Sequence, residues 1–355
     1  MAMAPLVAIT LSEGFFKPNQ VNCTAVYNDG RIVYGTDDGV YLQEMKKDPA
    51  KVLAAKDVSQ VDVLEDSQLL ILRSKRQVLT FPLDALDSTD PAAGLNRATS
   101  ISKEAFFKVG FCLDRVLVTT VKTSKLSATF KVLELAQATK KLPGESTTLK
   151  VFKEFYFASE VTSIHYLKTR LCVAGSSGFG VIDLENLETQ GLLDPSDEAL
   201  HFFAKKPPRS FLPWQHRAEP PRPMVMYRIH TEFLLCYDKF AFYVDRSGKR
   251  ARNEVMITWE GQPTGFALRW PYVLAFSPSF VEIRNIESGV IRQKIPGSNI
   301  RLLFSNTPPS VDASGGGRLP YEGQHLDQLR QGSDEILMAS EDGILSLRLA
   351  ESPQD

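Results

Sequence analysis

One hairpin, written three times along the chain, decides what this sequence can fold into. Arg31 to Leu42 reads RIVYGTDDGVYL, Glu335 to Leu347 reads EILMASEDGILSL, and Leu171 to Leu184 reads LCVAGSSGFGVIDL. Each copy has an apolar run, a small residue, a few polar turn residues with Gly, and a second alternating apolar run. Apolar runs joined by a short turn that needs positive φ are antiparallel strands. Gly39 and Gly343 are expected to supply that φ at no steric cost, and the middle copy carries Gly178 and Gly180 near its turn. A hairpin recurring at both ends and in the middle of a chain marks a repeat architecture, which sets the fold before local propensities do.

Taken in order, the chain divides into seven units. Leu6 to Leu11 (LVAITL) is a lone apolar strand without a hairpin partner. The first unit runs from Val21 to about Ala55. The second holds VSQVDVL from Val58, Gln68 to Arg73 and Gln77 to Leu83, and then enters a polar loop, Asp84 to Lys103. The third has Phe106 to Leu113, Arg115 to Val121 and Thr129 to Leu135, a turn built on Leu-Asp, and an outer strand at Thr148 to Phe155. The fourth has Val161 to Leu167 and the hairpin Leu171 to Leu184.

A long insertion, 186–222, follows. In it Asp194 reads as the N-cap, Pro195 as N1 and Glu198 as part of the acidic first turn of a short helix ending at Lys205-Lys206, and Pro207 to Pro223 is proline-rich. The fifth unit has Val225 to Ile229, Glu232 to Tyr237, Phe240 to Asp245 and Val255 to Trp259. The sixth has Gly265 to Leu268, Tyr272 to Phe276, Phe280 to Ile286 and Val290 to Ile295. The seventh starts at Ile300 to Phe304, is interrupted by Asn306 to Ser333, and resumes at Glu335. The Gly315-Gly316-Gly317 run and Pro308-Pro309 predict that this last insertion is loosely held.

Seven units in 355 residues average roughly 50 each, the length of a four-stranded propeller blade with some long loops. The last unit supplies three strands, so Leu6 to Leu11 is the missing outer strand and closes the ring. The expected fold is one all-β domain over 1–355, a seven-bladed β-propeller of four-stranded antiparallel blades. A β-sandwich or two smaller barrels would also be all-β, but neither is built from one hairpin repeated at this period.

Composition narrows the function. A formal net charge of −1 and the lack of a Lys/Arg stripe argue against nucleic acid. Cys23, Cys112, Cys172 and Cys236 each sit in an apolar run without CxxC spacing, so they read as core thiols and not as a zinc site or disulfide framework. There is no basic-then-apolar leader and no run of about 18 apolar residues, which predicts a chain without signal peptide or membrane span in an intracellular setting. On that reading the sequon Asn22-Cys23-Thr24 is a chance match.

Three strings together resemble the citron homology (CNH) domain. They are VNCTAVYNDGRIVYGTDDGVYLQ at 21–43, GFALRWPYVLAFSPSFVEIRNIESGVIRQKIPGSNI at 265–300, and the terminal EILMASEDGILSL. The likeness spans most of the chain and is greatest to the CNH domain at the C-terminus of fungal Rho guanine-nucleotide exchange factors, where it follows Dbl-homology and pleckstrin domains that are not read in this sequence. CNH domains also occur in citron-type and germinal-centre-type kinases and in vacuolar sorting proteins. The resemblance implies a regulatory binding module for a Rho-family small GTPase or for other domains of its parent protein. It implies cytoplasmic residence, with recruitment to the plasma membrane or cell cortex by the rest of that parent. The segments 84–103, 186–222 and 306–333 do not match the family pattern.

The residues offer little chemistry. Gly175 to Gly180 looks like a phosphate loop, but a phosphate loop opens onto a helix N-terminus and here both flanks are strands. His165, His201, His216, His230 and His325 lack metal-ligand spacing, and His165 and His230 are expected to be hydrogen-bonded core or rim groups. Asp37-Asp38, Glu341-Asp342 and Asp334-Glu335 are turn carboxylates, which are usually solvated. No catalytic residue, metal or cofactor is therefore expected.

Binding points to the first long insertion. Lys205, Lys206, Arg209, Phe211, Trp214, His216, Arg217 and Arg222 mix cations with large aromatics in a proline-stiffened segment, and such residues are enriched at interface hot spots. The competing arrangement, in which Phe211 and Trp214 fold back over the propeller side, is favoured by the rarity of large exposed aromatics on monomers. Arg217 to Pro223 also fits the R-x-x-P-x-x-P pattern of an SH3 ligand, which proline-rich entry into a strand explains as well. Arg246 to Arg252 (RSGKRAR) is the next candidate rim.

Overall fold

The computed structural model describes residues 5–12, 14–17, 19–27, 30–44, 47–136, 148–200, 202, 220–305, 310–311 and 335–350. Seven antiparallel sheets follow one another along the chain as the blades of a propeller. Blade one is Val21–Tyr27, Arg31–Thr36, Val40–Gln43 and Ala50–Leu53. Blade two is Val58–Leu64, Leu69–Ser74, Gln77–Pro82 and Thr99–Lys103. Blade three is Phe106–Cys112, Arg115–Thr123, Ala128–Leu135 and Leu149–Phe157, and blade four is Ser163–Tyr166, Arg170–Gly175, Gly178–Asp183 and Thr189–Gly191. Blade five is Pro223–Ile229, Glu232–Tyr237, Phe240–Val244 and Arg250–Thr258, and blade six is Gly265–Arg269, Tyr272–Ser277, Phe280–Asn285 and Ile291–Pro296. Blade seven combines Arg301–Ser305, Ile336–Ser340 and Gly343–Leu349 with the N-terminal strand Leu6–Ser12. That strand pairs from Leu6 opposite Leu349 to Ser12 opposite Ile344, so the ring is closed as the lone strand predicts.

Apolar packing explains the regularity. Among the described residues the core divides into seven clusters, one in each gap between neighbouring blades. Each central strand therefore buries both faces, which is why Leu69–Ser74 and Ile336–Ser340 are almost continuously apolar. Side chains also cross the gaps to backbone groups. Asn22 Nδ2 donates to the Val58 carbonyl at 3.1 Å, Tyr166 Oη to that of Lys108 at 2.9 Å, Ser163 Oγ to that of Met224 at 2.9 Å, and Tyr243 Oη to that of Ile286 at 2.7 Å. Arg301 donates to the Val21 carbonyl at 2.9 Å across the closing gap.

Several local expectations change. Asp84 to Lys103 is not a plain loop: it contains a short helix, Pro91–Leu95, capped by Asp90 Oδ1 on the Ala92 N–H, and the outer strand of blade two. The turn at Leu113-Asp114 has both residues in the left-handed region, at φ 53° and 56°. Gly343 is at φ 127° as expected, but Gly39 is not in the positive-φ region. Its lack of a side chain answers to space, because a Cβ there would lie 2.4 Å from the Lys51 side chain and 2.8 Å from the Leu53 carbonyl. The helix expected from Asp194 begins later: a 3-10 turn covers Glu198–Leu200 and Phe202 is helical, while the end expected at Lys205-Lys206 lies outside the described residues. Asp194 Oδ1 instead closes a turn on the Ser196 N–H, while Asp197 Oδ1 accepts from the Ala199 N–H. Blade five gains a fifth strand at its inner edge, where Ser310–Val311 pairs in parallel with Arg228 and Ile229. The remainder of 306–333 lies outside the described residues, and so does the expectation that it is loosely held.

A candidate binding rim between blades four and five

The outer strand of blade four, Thr189–Gly191, has three exposed residues. The gap it leaves is filled by the next stretch of chain, in which Leu192, Leu193 and Leu200 pack against Phe179, Phe242 and Val244. Polar groups then fix this segment to blade five. The Asp194 N–H donates to the Gly248 carbonyl at 3.0 Å, and Asp197 Oδ2 accepts from the Arg250 N–H at 2.6 Å. Hydrogen bonds from Ser196 hold the Asp194 carboxyl below its ordinary pKa, and those from Ser247 and the Lys249 N–H do the same for Asp245 in the facing turn. Ionised carboxylates are thus the form that keeps both turns closed.

The other end of the insertion is tied to the same blade. The Arg222 N–H donates to Asp238 Oδ1 at 2.8 Å, and the Asp238 N–H returns a bond to the Arg222 carbonyl at 3.0 Å. Between the two anchors lies an aromatic shelf. Phe202, 37% exposed, makes edge contacts with Phe240 and Phe242 at 5.8 and 5.4 Å, and Tyr237 stacks on Phe242 at 5.9 Å. The Arg250 guanidinium lies over both Phe202 and Phe242, at 5.3 and 5.0 Å, and burial lowers its pKa. On the opposite face of the blade, toward blade six, Arg252 pairs with Glu232 at 2.6 Å over the Tyr243 ring. Arg246 and Lys249 remain exposed at the tip of the turn.

Of the residues singled out from sequence, Arg222 stands at the base of this rim and is exposed. Lys205, Lys206, Arg209, Phe211, Trp214 and Arg217 lie outside the described residues. Among the described residues, the turn Arg246 to Arg252 grips the entry to the insertion at Asp194 and Asp197. Sequence reasoning included Arg250 in its second candidate rim but missed Asp194, Asp197 and Asp238 as anchors and Phe202 and Phe240 as the shelf. The recurring Asp-x-Ser of Asp194-Ser196 and Asp245-Ser247 was the readable signal, since Asp in such turns bonds the backbone two residues on.

The other candidates resolve as structure. Gly175 and Gly178 join two strands, Arg170–Gly175 and Gly178–Asp183. Asp38 accepts from Thr36 Oγ1 at 2.7 Å, Tyr41 Oη at 2.9 Å and Lys51 Nζ at 3.2 Å, which brings its carboxyl down to about 2. His165 Nε2 contacts Ser163 Oγ at 3.2 Å, and His230 packs edge-on against Trp270 at 5.4 Å. The four cysteines are buried and free, and burial raises the thiol pKa of each. Among the described residues no group of three His, Cys, Asp or Glu could hold a metal, and no helix is long and apolar enough to cross a membrane.

With this geometry in place, the comparisons with known proteins are specific. The family model of the CNH domain matches residues 28–306. Rho1 guanine nucleotide exchange factor 1 of Schizosaccharomyces pombe is 41% identical over 316 residues, covering 83% of this chain and 23% of that protein. RHO1 GDP-GTP exchange protein 2 of Saccharomyces cerevisiae is 29% identical over 321 residues, covering 84% of this chain and 23% of that protein. The solved AfRom2 CNH domain superposes with a TM-score of 0.77 at 36% identity, covering 98% of this chain and 100% of its own. The chain thus spans less than a quarter of either curated relative.

Proposed function

Because this chain belongs to the CNH domain family, we propose that it is the non-catalytic interaction propeller of a Rho guanine-nucleotide exchange factor and that it binds a Rho-family small GTPase in support of cell-wall and cytoskeletal signalling. The observation that carries this reading is that the two described ends of the insertion, at Asp194 to Asp197 and at Arg222, are both tied to blade five beside an aromatic floor and the exposed cations Arg246 and Lys249. Arg and aromatic groups over a rigid floor are what interface anchors need, and a floor fixed at both ends loses little entropy on binding. Kinship with Rho1 exchange factors supports the choice of partner. The test is direct binding of the isolated chain to a Rho-family GTPase loaded with GDP or with a GTP analogue. Saturable binding in either state, weakened by Arg246→Glu with Lys249→Glu, supports the rim, and no binding in either state overturns it.

A second reading has its own support. The matched region is less than a quarter of each curated relative, so in a protein of that build the propeller would sit beside other domains at high effective concentration. It would then regulate by docking on its parent protein, or serve a membrane-associated partner. Binding to separately expressed parent domains, with none to the GTPase, is the result that favours this reading.

A further inference from the structure

The rim of blades two and three carries a second surface, distant in sequence from the one above. Strand alternation sends the turns between second and third strands, and the connections between blades, out on one face of the ring. On that face blade three ends in a tight turn, closed by the Ser124 N–H on the Ser127 carbonyl at 2.7 Å. Leu126 at its tip is 82% exposed, more than any other large hydrophobic side chain among the described residues. Strand register extends the patch: Lys122 lies opposite Thr129 and Thr129 opposite Tyr156, so the three share one row on one face of the sheet. Tyr156 in that row is also exposed.

Two of the cations on this face meet at one carboxylate. Lys122 Nζ pairs with Glu104 Oε2 at 3.1 Å in the connection from blade two. The Glu104 carboxyl is held below its ordinary pKa by Lys122 and, after it, by Arg76, which places Arg76 beside the same group. Lys75 and Arg76 form the corresponding turn of blade two, and Lys125 adjoins Leu126; all three are exposed. Lys122 and Arg76 thus flank Glu104, and Lys75 and Lys125 add exposed charge in the two turns on the same side of the ring as the exposed Leu126.

We propose that this edge docks on an anionic phospholipid bilayer, with Leu126 and Tyr156 entering the headgroup region and Lys75, Arg76, Lys122 and Lys125 lying over the lipid phosphates. The composition separates a membrane from an acidic protein. Protein hot spots are Trp, Tyr and Arg seated in packed pockets, with Lys depleted at interfaces and Leu under-represented among anchors. Here the lead residue is a leucine on a protruding tip, and three of the four cations are lysines, compact hydrated charges suited to a diffuse lipid field. Each basic residue near such a surface raises partitioning on the order of fivefold, and stable attachment takes an apolar and a basic signal together.

The experiment is co-sedimentation of the whole chain with vesicles of phosphatidylcholine alone or doped with phosphatidylserine. Binding is expected to the doped vesicles and not to the neutral ones. Lys122→Glu with Lys125→Glu should cut it at least about tenfold. Leu126→Asp should weaken it as well, while Arg246→Glu with Lys249→Glu on the blade-five rim should not. All of these are surface changes, and unchanged melting temperatures verify that each variant is folded. Equal binding to both vesicle types, no binding to either, or indifference to the lysine reversals overturns the proposal. Retention on immobilised polyglutamate without vesicle binding overturns it too, and assigns the edge to an acidic protein.

Discussion

Gln293 holds Leu6 by both of that residue's backbone groups: its Nε2 donates to the Leu6 carbonyl at 2.9 Å and its Oε1 accepts from the Leu6 N–H at 3.0 Å. Gln293 belongs to the outer strand of blade six and Leu6 to the strand that completes blade seven, so this carboxamide ties the closing strand to the neighbouring blade. Deleting residues 1–12 removes the buried Leu6 side chain and exposes the edge of Gly343–Leu349. The loss is several kcal/mol, and the melting temperature should fall by roughly 10 °C or more. Gln293→Ala should cost about 1 to 2 kcal/mol. A truncated chain that melts with the intact one would remove closure by the N-terminal strand as a source of stability.

Gly110 and Tyr166 meet across the gap between blades three and four with no room for a methyl group. A Cβ on Gly110 would sit 2.0 Å from the Tyr166 ring, and the phenol above it is held by Thr119 Oγ1 at 2.7 Å and the Lys108 carbonyl at 2.9 Å. Gly110→Ala must displace a buried, hydrogen-bonded ring, so denaturant melts should show a loss of about 2 to 3 kcal/mol. With Tyr166→Ala already in place, the same change should cost much less. Additive losses in that double-mutant cycle would mean that the two residues do not compete for one space.

How much of this was legible depends on which faces meet water. Leu69–Ser74 and Tyr272–Ser277 lie between two neighbouring blades and announce themselves as apolar runs. Thr99–Lys103 and Thr189–Gly191 are mostly exposed outer strands, so their apolar signal is lost, and the first was read as loop. At the binding rim, Phe202 and Arg250 sit far apart in sequence. The bonds that bring Arg246 to Arg252 against Asp194 and Asp197 use the Gly248 carbonyl and the Arg250 N–H, backbone groups that every residue type except proline provides in full. The hairpin repeat could predict the ring, but no local pattern could predict that pairing.

The inner strands carry two half-buried groups that titrate in opposite senses. Burial raises the Asp62 carboxyl from its ordinary 3.8 to about 6, against the pull of Lys108, and lowers the His165 imidazole from 6.5 to about 3, with Lys108 adding to the effect. Between about pH 4 and 6 folded Asp62 keeps a proton that the unfolded chain releases, so its contribution is lost as pH rises. Below pH 6.5 the unfolded chain protonates its histidine while folded His165 resists, so that contribution is lost as pH falls. Relative to the parent chain, Asp62→Asn should gain stability as pH rises through that window, and His165→Gln should gain as pH falls below 6.5. Each difference should reach about 1 to 3 kcal/mol, since a tenfold change in proton affinity corresponds to about 1.4 kcal/mol before solvent screening. Denaturant melts from pH 4 to 7 measure both slopes, and difference curves that stay flat would show that neither group is shifted in this way.

The rim between blades four and five predicts two kinetic signatures that should separate. Trp214, in the insertion anchored at Arg222, is the large apolar group suited to serve as an anchor; truncating such a residue typically costs about 2 kcal/mol or more, mostly through faster dissociation. Trp214→Ala should therefore raise the dissociation rate of a Rho-family GTPase about tenfold or more, with little dependence on salt. Arg246 and Lys249 are exposed on the neighbouring turn, where charges steer approach more than they hold the complex. Reversing both to Glu should slow association most at low ionic strength and lose its effect as salt shortens the screening length to a few ångströms. Surface plasmon resonance over a salt series resolves the two. Should Trp214→Ala act on association instead, or the charge reversals act equally at all salt concentrations, the aromatic residue would not be the anchor nor the turn its steering edge. The contact would then have to be sought on another face of the ring.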